Sequence, residues 1–139
     1  MKPQKVPFGA LFVVFLLGVL QGISKVFEVS SFSFVCNEQG PFSFVFPPVL
    51  LEVGGAIALL FFFWQWITET DRFKAWCWLF LLGAGLSNFW ERLIFGCVKD
   101  FFTFFSLPTF NGADVVLSVS VVLLLWREFF SPLSRISNK

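Results

Sequence analysis

Two acids in the last third of the chain, Asp100 and Asp114, have the type and setting to do chemistry. Each borders a long apolar stretch, so each sits at the edge of a region that excludes water. Two carboxylates at such a boundary repel one another and are poorly solvated, so one can keep a proton while the other ionises. Such a pair can activate water and protonate a leaving amine, as an aspartic protease does, with neither His nor metal. Upstream, Gly85, Asn88, Arg92 and Gly96 recur at steps of three and four residues, which places them on one face of a helix. An amide and a guanidinium on an apolar helix must turn toward protein or a wet cavity. From there Arg92 can offer fixed donors to a carboxylate or to a substrate carbonyl. A plainer reading stands beside this one. The acids then open helices in solvent, with Asp114 favouring the helix dipole, and Glu91 and Arg92 pair at an interface. Asn88 fits that reading poorly, because it lies deeper and shares the face of Arg92.

Composition narrows the chemistry further. The 139 residues contain no His, which removes Ser-His and Cys-His dyads and any His-based zinc site. The three cysteines, Cys36, Cys77 and Cys97, are too scattered for a thiolate cluster, so neither metal nor cofactor is expected. A net charge of +1 gives no basic field for nucleic acid. Hydrophobic residues make up 57% and charged residues 14%, with 23 Phe, 6 Trp and a mean hydropathy of +0.81. Soluble domains carry about 25% charged residues, so this is the composition of a membrane protein.

The elements that must hold these acids are therefore membrane helices. The expected fold is an all-α membrane protein of one domain over 1–139, with four transmembrane helices at about 6–25, 49–68, 75–97 and 113–130. The first apolar run follows Lys2 and Lys5, but it is long for a cleaved signal peptide and no A-x-A-like site follows, so it is read as a retained span. The second opens after Pro47-Pro48, which suits a helix start. The strictly uncharged part of the fourth, Val115 to Trp126, covers only roughly 18 Å of helix. To cross the bilayer it must draw Asp114 to the rim and let Arg127 and Glu128 reach the opposite interface. A frayed tail is expected over Ser134–Lys139.

Lys2, Lys5, Arg72, Lys74, Arg127, Arg135 and Lys139 collect on one side, against Lys25 and Lys99, with Arg92 near them, on the other. The positive-inside bias makes the first side cytoplasmic, with both termini there. Asp100 and Asp114 then lie at the extracytoplasmic face. On that face, Ser31-Phe32-Ser33-Phe34 alternates with period two before turn chemistry at Asn37–Pro41, which predicts a small β-hairpin or cradle after the first span. Cys36 and Cys97 share this side. A disulfide is compatible with that placement, but free thiols in an apolar setting are the expectation.

At this point the residues carry a resemblance. The stretch GAGLSNFWERLIFGCVKDFF, followed by FNGADVVLS, resembles the two catalytic regions of bacterial lipoprotein signal peptidase, the signal peptidase II family. The matching positions are Asn88, Glu91, Arg92, Gly96, Val98, Asp100, Phe101, Phe110, Asn111, Ala113 and Asp114. Asn37 with Phe42-Ser43 resembles a further block, and Lys25 resembles the Lys that closes the family's first-span motif. There are departures: Gln21-Gly22 stands where the family has Asp-Gln, Ser87 where a Gly precedes the Asn, and Glu91 where Asp is usual. Pro41 replaces an Ala, and the nearby Gly is displaced to Gly40. The resemblance implies that Asp100 and Asp114 form a catalytic dyad. It implies that Asn37, Asn88, Arg92 and Asn111 position the scissile peptide or the dyad, with Lys25 and Glu91 in support. The implied partners are a diacylated prolipoprotein and membrane lipid, and a monomer in the bacterial inner membrane is expected. A clamp of the outer hairpin and Phe101–Phe105 over the dyad is an expectation from their shared outer placement.

Two alternatives remain at this level. One is a catalytically inactive relative that binds lipoproteins. The other is a small four-span transporter using Glu52, although an acid so soon after Pro47-Pro48 is more simply a helix-dipole partner. Ser24 next to Lys25 is not a Ser-Lys dyad, because adjacent helical residues point in different directions.

Overall fold

A computed structural model describes residues 34–39, 45–103 and 108–136, with side chains to residue 130. The expected first span, with Gln21 and Lys25, lies outside the described residues, as do residues 26–33 and 40–44 on either side of the expected turn. In chain order the described elements are β1 (Val35–Asn37), α1 (Pro48–Thr68), α2 (Arg72–Phe95), β2 (Val98–Asp100) and α3 (Gly112–Ile136).

Helix α1 begins where the prolines direct it. Pro47 caps it, Pro48 occupies the first turn, and the N–H groups of Leu50 and Leu51 bond back to the Pro47 carbonyl at 2.9 and 3.3 Å. Glu52 falls beyond the first turn, which contains no acid, so the helix-start role expected for it does not apply. The connection to α2 is three residues long and is held by its own side chains. Glu69 Oε1 accepts from the N–H groups of Thr70 and Asp71 at 2.9 and 3.0 Å. Asp71 Oδ1 then caps α2 by accepting from Phe73 and Lys74 N–H at 2.8 and 3.3 Å. The second oxygen of Asp71 accepts from Arg127 Nε and Nη2 at 3.1 and 3.0 Å, and Lys74 pairs with Glu128. Arg127 and Glu128, expected to reach an interface, fasten α3 to the start of α2.

Helix α2 is the middle of the bundle and packs against both α1 and α3. It supplies most of the buried apolar side chains: Ala75, Cys77, Leu79, Leu81, Leu82 and Ala84. Among the described residues α1 buries none, and large side chains such as Ile57, Leu60 and Trp64 stand exposed along it. By length and composition α1 qualifies to cross a membrane, with a mean hydropathy of 1.7 over its apolar window. The carboxyl end of α2 departs from expectation. The helix stops at Phe95, and Gly96 adopts a left-handed φ of 73°, a conformation that favours glycine. Gly96 is therefore the cap that turns the chain into β2, just past the helix that carries Asn88 and Arg92.

The expected hairpin falls largely outside the described residues, and the described sheet is a separate pairing. β1 pairs antiparallel with β2, in the register Val35 to Asp100, Cys36 to Lys99 and Asn37 to Val98. The described partner of β1 is thus a strand from beyond α2, and Cys36 and Cys97 are joined by a disulfide. This overturns the expectation of free thiols. The reason is geometric: strand pairing brings the two Cα atoms to 5.6 Å although they lie 61 residues apart. Closing a loop of that length removes entropy worth about 4 kcal/mol from a freely unfolded chain. Past β2, Phe102 and Phe110 exchange N–H to carbonyl bonds at 3.0 Å in both directions, returning the chain to the start of α3. The helix continues beyond the expected span end to Ile136, so a frayed tail does not begin at Ser134.

Candidate active site

The site is assembled where β2, the start of α3 and the last turns of α2 meet. Asn111 precedes α3 and caps it. Its Oδ1 accepts from the N–H groups of Ala113 and Asp114 at 2.7 and 3.1 Å. Asp114, three residues on, returns the contact by accepting from Asn111 N–H through Oδ2 at 3.0 Å. This reciprocal arrangement is a capping box. The other face of the cap points at the acids. Asn111 Nδ2 donates to Asp100 Oδ1 at 3.3 Å and to Asn88 Oδ1 at 3.1 Å. Asn88 Nδ2 in turn donates to Asp114 Oδ1 at 2.8 Å. One fully buried asparagine therefore ties both carboxylates into a single network, and the helix-start reading of Asp114 is part of that network.

Asp100 ends β2 and is 2% exposed. Its Oδ2 accepts from Asn37 Nδ2 at 2.9 Å and from Thr109 Oγ1 at 3.3 Å. Burial pushes its pKa up. The hydrogen bond from Asn37 opposes that shift, the nearby Asp114 carboxylate adds to it, and the bonds from Thr109 and Asn111 oppose it. Asp100 is therefore suited to hold a proton that a solvated carboxyl group would lose.

Arg92, expected to offer donors to a carboxylate or to a substrate carbonyl, here donates to carbonyls of its own chain. Nη1 and Nη2 donate to the backbone carbonyls of Glu38 and Gln39 at 3.2 and 2.9 Å, clasping the chain as it leaves β1. Glu91 is buried at 5% exposure and is not among the residues that line the cavity next to Asp100 and Asp114. That cavity has a volume of about 920 Å³. Its polar rim is formed by Asn37, Asn88, Arg92, Asp100, Thr109 and Asp114. Its apolar wall comes from α1 (Leu50, Leu51, Ala58, Leu59, Phe62) and α3 (Val115, Leu117, Val119). Among the described residues no group of three acidic, His or Cys side chains is placed to ligate a metal.

A family profile described as "Signal peptidase (SPase) II" matches residues 11–130. The chain belongs to the signal peptidase II family. "Lipoprotein signal peptidase" of Yersinia pseudotuberculosis serotype O:1b (strain IP 31758) is 30% identical over 107 residues, which cover 74% of this chain and 62% of that protein. The protein of the same name from Yersinia pestis (strain Pestoides F) is 27% identical over 110 residues, covering 76% and 63%. The match thus spans less than two thirds of the length of these curated relatives. Two solved structures, each described as a "Bacterial membrane enzyme", share the fold. One gives a TM-score of 0.81 at 18% identity over all of this chain and 96% of the other. The second gives 0.80 at 16% identity over 94% and 98%.

Within this signal peptidase II family member, five of the residues singled out in the sequence converge: Asn37, Asn88, Asp100, Asn111 and Asp114. Lys25 lies outside the described residues. Of the expected Phe101–Phe105 clamp, Phe101 stacks near Phe34, with ring centroids 6.2 Å apart, and Phe102 near Phe110 at 5.7 Å. Residues 104–107 lie outside the described residues. Thr109 was not foreseen. Its hydroxyl sits two residues before Asn111 in the segment that also delivers the cap, and that proximity is the signal that marks it.

Proposed function

We propose that the chain is a four-span membrane aspartic endopeptidase that removes the signal peptide from diacylglyceryl-modified prolipoproteins, cutting just before the lipidated cysteine. The observation that carries this reading is the pair of carboxylates joined through buried Asn111 at the rim of a largely apolar cavity. Asp100, whose pKa burial raises, serves as the acid. Asp114, whose oxygens face the N–H groups of Asn88 and Asn111, serves as the carboxylate base. The base takes a proton from water as the water oxygen attacks the scissile carbonyl, forming a tetrahedral intermediate. Asp100 then protonates the cysteine nitrogen, the C–N bond breaks, and the signal peptide leaves with a new carboxyl group. Pairs of this kind titrate as a unit, so the roles belong to one shared proton.

In this reading α1, α2 and α3 provide the spans near 49–68, 75–97 and 113–130, with residues 6–25 as the first and both termini in the cytoplasm. The site then faces the extracytoplasmic side of a bacterial inner membrane, and a monomer carries the whole of it. The Cys36–Cys97 disulfide supports that orientation, because disulfides persist in oxidising compartments outside the cytoplasm. The substrate is held in the bilayer by its acyl chains, which brings its scissile bond to the membrane rim. A transporter reading would need Glu52 at a central polar site, and Glu52 is not among the residues lining the cavity.

The test is incubation of the purified protein, in lipid, with a diacylglyceryl-modified prolipoprotein and with its unmodified precursor. Mass spectrometry is expected to find the signal peptide and a product beginning at the lipidated cysteine, from the modified substrate alone. No release, or equal cleavage of the unmodified precursor, counts against the proposal.

A further inference from the structure

We infer that the Cys36–Cys97 disulfide is a positioning element for the dyad, holding β1 over Asp100 so that Asn37 reaches its carboxylate. The inference rests on the proposed peptidase activity. Cys36 immediately precedes Asn37, and Cys97 lies three residues before Asp100. The sheet that brings them together has only three paired positions, and an isolated two-stranded sheet is marginal in water. Two contacts secure the register from outside the sheet ladder. One is the disulfide, and the other is Arg92 clasping the carbonyls of Glu38 and Gln39. Both act on the residues flanking Asn37, whose Nδ2 lies 2.9 Å from Asp100 Oδ2.

The cover matters because Asp100 owes its raised pKa first to burial. The charged groups around it are Asp114 from α3 and Arg92 from α2. From β1 comes only the neutral amide of Asn37. Lys99, its neighbour on β2, is turned to the rings of Phe95 and Phe34, 4.0 and 5.4 Å from their centroids. Loosening β1 therefore admits water to Asp100 and removes the Asn37 bond. Water lowers the pKa and loss of the bond raises it, and burial is the larger of the two. The proton then leaves at lower pH, so the alkaline limb of cleavage moves down toward the ordinary carboxylate range. Replacing Asn37 with Leu keeps a cover of similar size and removes the N–H donor to Asp100 together with the Oδ1 that accepts from Gln39 N–H, while the disulfide and Arg92 still hold β1, so that variant moves the limb up.

Cys36 is exposed, which makes the bond accessible to a reductant. A water-soluble phosphine cleaves it: the S–S bond breaks, two thiols take protons from the solution, and the phosphine becomes its oxide with oxygen from water. The experiment uses the full chain carrying Cys77→Ala, which leaves the disulfide sulfurs as the protein's only thiol source and is expected to cleave like the wild type. The pH profiles of kcat and KM are measured before reduction, after reduction and after reoxidation, with the fold followed by tryptophan fluorescence and gel filtration. The expected result is a folded protein with two titratable thiols, kcat lower by about tenfold, a smaller change in KM, and an alkaline limb at lower pH. Reoxidation restores all of these, and Asn37→Leu with the disulfide intact moves the limb up. A reduced, folded protein with unchanged kcat and an unmoved limb overturns the inference. Absence of cleavage in the oxidised protein overturns the peptidase reading itself and the inference with it.

Discussion

With its side chain fully buried, Asn111 uses its amide nitrogen twice and its amide oxygen twice, and its backbone N–H once more. That saturation makes it the residue that sets where the two carboxylates stand relative to one another. Truncating it leaves Asp100 and the amide oxygen of Asn88 each short of a donor and uncaps α3. Asn111→Ala is therefore expected to lower kcat by roughly a hundredfold through misplacement of the acids. It is also expected to cost about 1–3 kcal/mol of stability through the lost cap and unpaired polar groups. Cleavage kinetics beside a thermal melt check both effects, and a loss of stability with kcat intact would assign Asn111 to the fold alone. At this scale much was legible before any coordinates. The acids and Asn88 stand out as polar residues in an apolar chain, where each polar group demands a partner, and Asn37 and Asn111 are marked by the family resemblance. Arg92 was legible as a residue that needs acceptors, but not its choice of them, because the carbonyls it reaches lie more than 50 residues away. Thr109 carried only its nearness to Asn111 as a mark, since a lone hydroxyl in a loop satisfies itself in many ways.

Among the elements, α1 shows how adjacent glycines can do opposite things. A Cβ on Gly55 would stand 2.9 Å from the Phe89 ring of α2, so Gly55 permits close helix packing. A Cβ on Gly54 would meet nothing within 4 Å, and Gly54 lines the cavity. Gly54→Leu is expected to keep the fold, with a small gain in helix propensity, while filling space that substrate needs. Its KM for the diacylated substrate should rise several-fold with the melting temperature unchanged. Gly55→Leu should instead destabilise by about 1–3 kcal/mol through overpacking. Measuring KM and melting temperature for both variants separates the two roles, and equal behaviour would contradict them. The start of α1 was legible from Pro47-Pro48, whose rings act locally, while the Asp71 cap of α2 emerges only in the structure. The sheet was less so. Period-two alternation announces a strand but not its partner, and here the partner is supplied by a turn at Gly96 that interrupts an otherwise helical pattern. The disulfide became legible only once that pairing was known.

For the whole molecule, the apolar surface and the two polar ends make one account. One end is closed by Asp71 with Arg127 and Lys74 with Glu128, and the other carries the disulfide, the sheet and the dyad. Between them the described helices expose Ile57, Leu60, Trp64, Val122 and Trp126, side chains suited to lipid. Composition alone declared the solvent, because 14% charged residues cannot cover a water-facing surface. The end proposed to do chemistry was legible from the acids and the family blocks. That the same end is covalently stapled was not. The central claim is that Asp100 and Asp114 share the work of hydrolysis. The most direct measurement compares cleavage of a diacylated prolipopeptide by the wild type, Asp100→Asn and Asp114→Asn, with substrate binding followed in parallel. Each variant is expected to bind the substrate and to cleave it at least about a thousandfold more slowly. Cleavage near the wild-type rate by either variant would contradict the account.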